Sequence, residues 1–259
     1  MLNPAQRERL QIVLVSPRNP LNIGAAARAM ANFGFTRLTV VAPYEKHWRE
    51  AQSAVGAPEL LLNAKQSATL AEALADCTLA IGTGTLTYRR AEQAVVALPD
   101  LTQAVTAALE SAPESKLESA LATGPRVALV FGPEKHGLTR EDLSYCHLLA
   151  EIPTDAHQPS MNLGQAVAVC LYELAVRTST PGAKKPAAAS GTSTAQSGDL
   201  DLLAGLIDQV MKLARYAPAS MRAASQHDLR LVLRRLALGP RDVRRMMGFF
   251  RRVLYRLER

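Results

Sequence analysis

The chain has 259 residues, 48% of them hydrophobic and 20% charged, with a formal net charge of +7. That composition can bury a core and excludes wholesale disorder or a fibrous repeat. No apolar stretch approaches the roughly 18 residues of a membrane helix, and the start is polar. The cysteines Cys77, Cys146 and Cys170 stand at spacings that suit neither a disulfide framework nor a zinc site. A cytoplasmic protein without a metal is expected.

Taken in chain order, Gln11 to Ser16 (QIVLVS) is a nearly continuous apolar run, and Asn22 to Phe33 follows at helical spacing. Arg37 to Ala42 is a second such run. Leu70 to Leu74 is helical, Cys77 to Ile81 extended, Leu101 to Leu109 helical, and Arg126 to Phe131 extended. His147 to Ile152 is a further run before the helical Leu163 to Ala175. Short runs without polar alternation suit strands buried on both faces of a parallel sheet, so the alternation predicts an α/β fold. Ligands of such folds collect at the carboxyl ends of the strands. The loops there read PRNPLNIGAAAR, GTGTLTYRR, GPEKHGL and IPTDAHQPSMNLG. None carries a Gly-x-Gly-x-x-Gly or a phosphate-binding Gly-x-x-x-x-Gly-Lys-Ser/Thr, which disfavours the usual dehydrogenases and ATPases.

Charge divides the chain. Residues 1 to 198 hold 17 Lys+Arg against 17 Asp+Glu, whereas 199 to 259 hold 13 against 6. Thr178 to Gly198 has no aliphatic residue larger than Ala and reads as a flexible linker. The expected layout is a body (1–177), a linker (178–198) and a small basic helical module (199–259).

Asn22 is a candidate N-cap, and Arg28 sits among small apolar neighbours with no carboxylate three or four residues away. A half-buried arginine in that setting needs an anion, and phosphate is the natural one. Gly132-Pro133-Glu134-Lys135-His136-Gly137 is a glycine-bounded turn directly after a strand. Ser160 or Asn162 caps the helix beginning at Leu163, and a helix N-terminus also offers free amides to a ligand. His136, His147 and His157 share no metal-like spacing. Cys146 beside His147 is discounted as a nucleophile, because adjacent strand residues face opposite ways.

Together and in this order, three of these loops resemble the motifs of the SpoU branch of the SPOUT RNA methyltransferases. Asn22, Gly24 and Arg28, closing with Asn32-Phe33-Gly34, resemble its Asn-x-Gly-x-x-x-Arg element. Gly132-x-Glu134-x-x-Gly137-Leu138 is similar to its glycine and glutamate loop. Ile152-Pro153 leading to Ser160-Met161-Asn162 is similar to its Ile-Pro and Ser-Leu-Asn element, with Met at the Leu. The likeness runs from about Leu10 to Ala175. The stretches AQSAVGAPELLLNA and AIGTGTLTYRR and the arginine-rich tail are most similar to the bacterial members that methylate tRNA at nucleotide 32 of the anticodon loop.

The resemblance implies a SPOUT-type parallel sheet with a C-terminal trefoil knot, S-adenosyl-L-methionine as cofactor, tRNA as partner, and a homodimer that completes its active site across the interface. It assigns the cofactor to Thr83, Gly84, Thr85, Gly132, Glu134, Ile152, Ser160, Met161 and Asn162. It assigns catalysis to Arg28, with Asn22, Ser160 and Asn162. A guanidinium is not readily deprotonated in a protein, so Arg28 is expected to grip a backbone phosphate beside the target ribose rather than act as base.

In Pro240 to Arg259, Val243, Met246, Phe250, Val253 and Leu257 recur at three- and four-residue steps. They leave Arg241, Arg245, Arg252, Arg256 and Arg259 largely on another face, with only Asp242 and Glu258 as acids. Arg89, Arg90, Lys135, Arg241, Arg245, Arg252 and Arg256 form the expected RNA track. Removing the module is expected to weaken RNA binding and leave cofactor binding intact. The rivals are a SpoU-type enzyme acting on rRNA or another tRNA position, a non-catalytic RNA-binding protein, and a basic helix on a membrane surface. Intact Asn22, Arg28, Glu134 and Asn162 speak against the second, and the polar linker against the third.

Overall fold

The computed structural model describes residues 1–84, 91–111, 124–176, 194–216 and 218–258. A strand covered on both faces must be apolar at successive positions, and Leu10–Val15 (β1) is buried at all six. It lies near the middle of a parallel sheet with Arg37–Val41 (β2), Lys65–Ser67 (β3), Leu79–Gly84 (β4), Ala94–Ala97 (β5), Val127–Phe131 (β6) and Leu148–Glu151 (β7). Among the described residues the order is β3-β2-β1-β6-β4-β7-β5. The late strand β6 therefore pairs with both β1 and β4, and β7 with both β4 and β5. The short edge strands β3 and β5 were not expected from the sequence.

Alternation across the pleat sends neighbouring β1 side chains into two separate cores. Ile12 and Leu14 join Ile23, Met30, Leu101, Val105, Leu171 and Leu174 on one face. Val13 and Val15 join Leu70, Leu74, Cys77, Val130 and Cys146 on the other. Among the described residues the α-helices of the body are Pro4–Arg7 (α1), Pro20–Phe33 (α2), Pro58–Leu62 (α3), Leu70–Leu74 (α4), Leu101–Leu109 (α5), Arg140–Ser144 (α6) and Leu163–Ala175 (α7). Helices α2 and α7 run in close contact. A Cβ added at Gly164 would lie 2.7 Å from the Cβ of Ala25, so this crossing requires glycine. Arg7 braces their far ends by donating to Phe33 O and Ala175 O, both at 3.0 Å. A cation there also meets the negative ends of two helix dipoles.

Among the described residues the tail forms the α-helices Ser197–Leu213 (α8), Arg222–Arg235 (α9) and Pro240–Leu257 (α10), around Leu200, Leu203, Leu233, Val243 and Met247. Helix α8 starts two residues inside the stretch read as linker, and residues 178–193 of that stretch lie outside the described residues. The amides of Ser197 and Gly198 donate to Cys77 O and Ala75 O at 2.8 and 3.0 Å. Those two donors would otherwise be orphaned in the first helical turn. Arg234, 5% exposed, donates to Tyr145 O at 3.1 Å and to Asp201 at 2.9 Å. The module is thus seated on the body.

The apolar stripe of α10 also differs from expectation. Val243, Met247 and Leu254 are buried, while Leu257 is 44% exposed and Met246, Phe250 and Val253 are half-buried. The neighbouring α8 meets one narrow face, and steps of four and then seven residues keep 243, 247 and 254 on it. No helix among the described residues is long and apolar enough to cross a membrane.

Candidate active site at the carboxyl edge of the sheet

Helix α2 begins earlier than expected, and this changes what Asn22 does. Asn19, not Asn22, is the N-cap: its side chain accepts from the Leu21 amide at 2.9 Å, and Pro20 opens the helix. Asn22 therefore lies in the first turn with its amide group free for other partners. Its Nδ2 donates to Glu134 Oε1 at 2.8 Å, and its Oδ1 accepts from Asn162 Nδ2 at 2.9 Å. Asn162 in turn caps α7, accepting from the amides of Gly164 and Gln165 at 2.9 and 3.3 Å. One chain of hydrogen bonds thus joins all three motif loops.

Glu134 is the hub. It also accepts from the Arg18 and Asn19 amides, both at 3.1 Å. Burial pushes its carboxyl up. The Asn22 side chain and the amides of Glu134, Arg18 and Asn19 outweigh that and hold it below the usual carboxylate range. Glu134→Gln would set an amide donor against one of these donors, at a cost of about 1–3 kcal/mol. The expected result is a lower urea midpoint and faster proteolysis between β1 and α2; an unchanged midpoint would show that the hub carries no strain.

The glycine and glutamate loop is folded back on itself. A Cβ at Gly132 would lie 2.2 Å from both Gly137 C and Leu138 N, and Gly137 adopts a φ of 64°. The Gly137 amide closes the turn on Pro133 O at 2.8 Å. Beside it opens a cavity of about 890 Å³, within the roughly 300–1,000 Å³ of small-molecule sites. Thr83, Gly84, Gly132, Glu134, Ile152, Ser160 and Met161 line it, together with Lys135 of the expected RNA track. Thr83 is buried, and its hydroxyl donates to Val130 O at 2.9 Å.

Other expected residues are placed elsewhere. Asn22 and Asn162 are not on the cavity wall but behind it, in the hydrogen-bonded chain. Arg28 is exposed rather than half-buried, and it is not part of the wall. The reason lies in α2: residues 23, 24, 26, 27, 29 and 30 are the buried ones, and 28 falls on the remaining face. Thr85, Arg89 and Arg90 lie outside the described residues. The sequence did not single out Glu92 or Arg140, which also line the cavity. An acid following two arginines was the only signal for Glu92.

The thiols take no part. Burial pushes Cys77, Cys146 and Cys170 up to about 12, so each is a protonated core residue at neutral pH. His147 is brought down to about 3 by burial and by Arg234, and its Nδ1 accepts from the Ala80 amide at 3.1 Å. It is neutral and structural. Among the described residues no group of three His, Cys, Asp or Glu could hold a metal.

A covered parallel sheet with a ligand-sized cavity at its carboxyl edge belongs to the class of α/β enzymes that take small ligands there. The sequence comparisons carry this further. Residues 9–172 match the SpoU rRNA Methylase family, and the chain belongs to that family. It is 38% identical over 168 residues to a protein of Pseudomonas aeruginosa named tRNA (cytidine/uridine/adenosine-2'-O-)-methyltransferase TrmJ, covering 64% of this chain and 60% of that one. It is 36% identical over 166 residues to tRNA (cytidine-2'-O-)-methyltransferase TrmJ of Methanocaldococcus jannaschii, covering 64% and 66%. The match thus spans less than two thirds of those relatives. The crystal structure of TrmJ from Z. mobilis superposes with a TM-score of 0.77 at 26% identity, over 94% of this chain and 98% of that one.

Proposed function

We propose that the protein methylates a ribose 2′-oxygen of tRNA, at nucleotide 32 of the anticodon loop, with S-adenosyl-L-methionine as donor. The observation that carries this reading is the chain from Glu134 through Asn22 to Asn162, which ties the first motif loop to the two that line the cavity. The activities for which the TrmJ relatives are named supply the substrate class.

The cavity suits the donor. Leu138, Leu149 and Ile152 offer apolar surface for a purine, and a Cβ built on Gly84 meets no atom within 4 Å, leaving room at the wall. Thr83, Gly84, Gly132, Ile152, Ser160 and Met161 would hold the donor, whose methyl, bound to a cationic sulfur, supplies the electrophile. Glu134 and Asn162 spend their oxygens on the chain's own donors, so both are positioning residues. Arg28 holds the phosphate next to the target ribose; phosphate or water takes the hydroxyl proton.

An exposed Arg28 serves this role from a second copy of the chain. Leu21, Val169, Tyr172 and Val176 on or beside the paired α2 and α7 are 53%, 37%, 51% and 48% exposed. This apolar strip is read as the face of a homodimer that brings each Arg28 to its partner's cavity. The fold is read as knotted, as the family resemblance implies.

The tail supplies affinity. Arg241, Arg245, Arg252 and Arg256 are all exposed on α10. Reversing Arg245 and Arg252 to Glu is expected to weaken tRNA binding and to lower the slope of log affinity against log salt by about two. Anisotropy titrations across salt concentrations measure this, and an unchanged slope would place the RNA track elsewhere.

The reaction is tested by incubating the protein with labelled S-adenosyl-L-methionine and unmodified tRNA or rRNA, then mapping ribose methylation by mass spectrometry. Methylation of rRNA alone favours the rival reading that the family's description names.

A further inference from the structure

Glu92 stands on the cavity wall and holds two partners from different parts of the chain. Its Oε1 accepts from Nε and Nη2 of Arg140 at 3.1 and 2.6 Å, and its Oε2 meets Nε2 of His227 at 2.6 Å. Arg140 opens α6 and also lines the cavity. His227 lies on the tail helix α9, with a side chain only 6% exposed.

The same face of α9 grips the segment that carries Arg140. Arg230 donates to Ser144 Oγ at 2.8 Å and stacks on Tyr145 at 4.6 Å, and Arg234 donates to Tyr145 O at 3.1 Å. Residues 227, 230 and 234 fall three and four apart, so they share one side of the helix. From the body, Gln93 donates to Leu143 O at 2.6 Å. The wall formed by Glu92, Gln93 and α6 is thus clamped between body and tail. Without His227, Glu92 and Arg140, 37% and 62% exposed, keep only their surface ion pair and a longer contact from Arg140 to the 68% exposed Asp228 at 3.9 Å, and such exposed pairs hold their geometry weakly.

We infer that His227 is a positioning residue for the donor cavity: through Glu92 and Arg140 it fixes the wall, so donor affinity depends on the tail being seated. The inference rests on the donor reading above and replaces the expectation of an independent module. Any RNA that displaces α9 then changes donor affinity, and by linkage the donor changes RNA affinity by the same factor.

The test is calorimetric titration of the full chain with S-adenosylhomocysteine. Wild-type binding checks the donor reading, and its absence ends both. His227→Ala is expected to raise Kd about five- to tenfold, the part of one lost charge-assisted hydrogen bond that reaches the donor through the wall. His227→Gln, which can still donate to Glu92, is expected to stay within about twofold of wild type. Should His227→Ala fail to fold, Glu92→Ala leaves α9 intact and carries the same expectation. The double variant Glu92→Ala, His227→Ala is expected to bind no more weakly than either single one. Wild-type affinity in the single variants, or losses that add in the double, would overturn the inference while leaving the donor reading in place.

Discussion

Arg28→Lys is expected to lower kcat by about 10²–10³-fold, the scale of losing one aligned electrostatic contact, while the Kd for S-adenosylhomocysteine stays within about twofold. Lysine keeps the charge but loses the planar fork that fixes a phosphate in two places. Arg28 is off the cavity wall, so donor binding has no reason to change. The dimer reading adds a sharper outcome. Mixing an Arg28→Ala protein with one whose cavity is disabled is expected to restore activity that neither parent has. Each hybrid pairs an intact cavity with the other chain's intact arginine. No recovery in confirmed hybrids would place Arg28 at its own chain's site or outside catalysis.

The second large effect concerns Gly132. Gly132→Ala sets a methyl 2.2 Å from two backbone atoms of Gly137 and Leu138, which cannot turn aside as a flexible side chain could. The turn has to open, and with it Glu134 leaves the amides of Arg18 and Asn19. Donor affinity is expected to fall at least about a hundredfold, as several wall contacts go at once. Only Phe131 and Leu138, at the two ends of this loop, belong to the cores, so cooperative thermal unfolding is expected to persist. Gly84→Ala is the control, because its Cβ meets nothing within 4 Å; equal losses in both would point to lost cavity volume rather than a forced turn.

Much of the frame was legible in the residues. Runs such as QIVLVS and RVALVF are apolar at every step because both faces are covered, and β1 and β6 appear there. The edge strands were not, because Lys65–Ser67 buries only Ser67 and Ala94–Ala97 only Val96. Edge strands need little burial, so their sequences carry little signal. Residues of the motif loops were legible as a set, since glycine, amide and carboxylate types cluster there. Their wiring was not: Asn19 and Asn22 are equally good caps by type, and Pro20 was the overlooked cue that the helix starts at 20. In the tail, Arg230 and Arg234 have the same composition as the exposed arginines of α10. Only their contacts with Ser144 and Tyr145 mark them as structural cations.

The strand order has a consequence for how the chain is made. β1 and β4 emerge from the ribosome well before β6, yet β6 must enter between them, and β7 must likewise enter between β4 and β5. Until residue 131 is synthesised, the nascent sheet has unpaired edges on both sides of that gap. Such non-local insertion is slow and exposes apolar surface meanwhile. Vectorial synthesis therefore leaves this protein dependent on its later half, and chains released before β6 are destined for chaperones or aggregates rather than for a smaller working sheet.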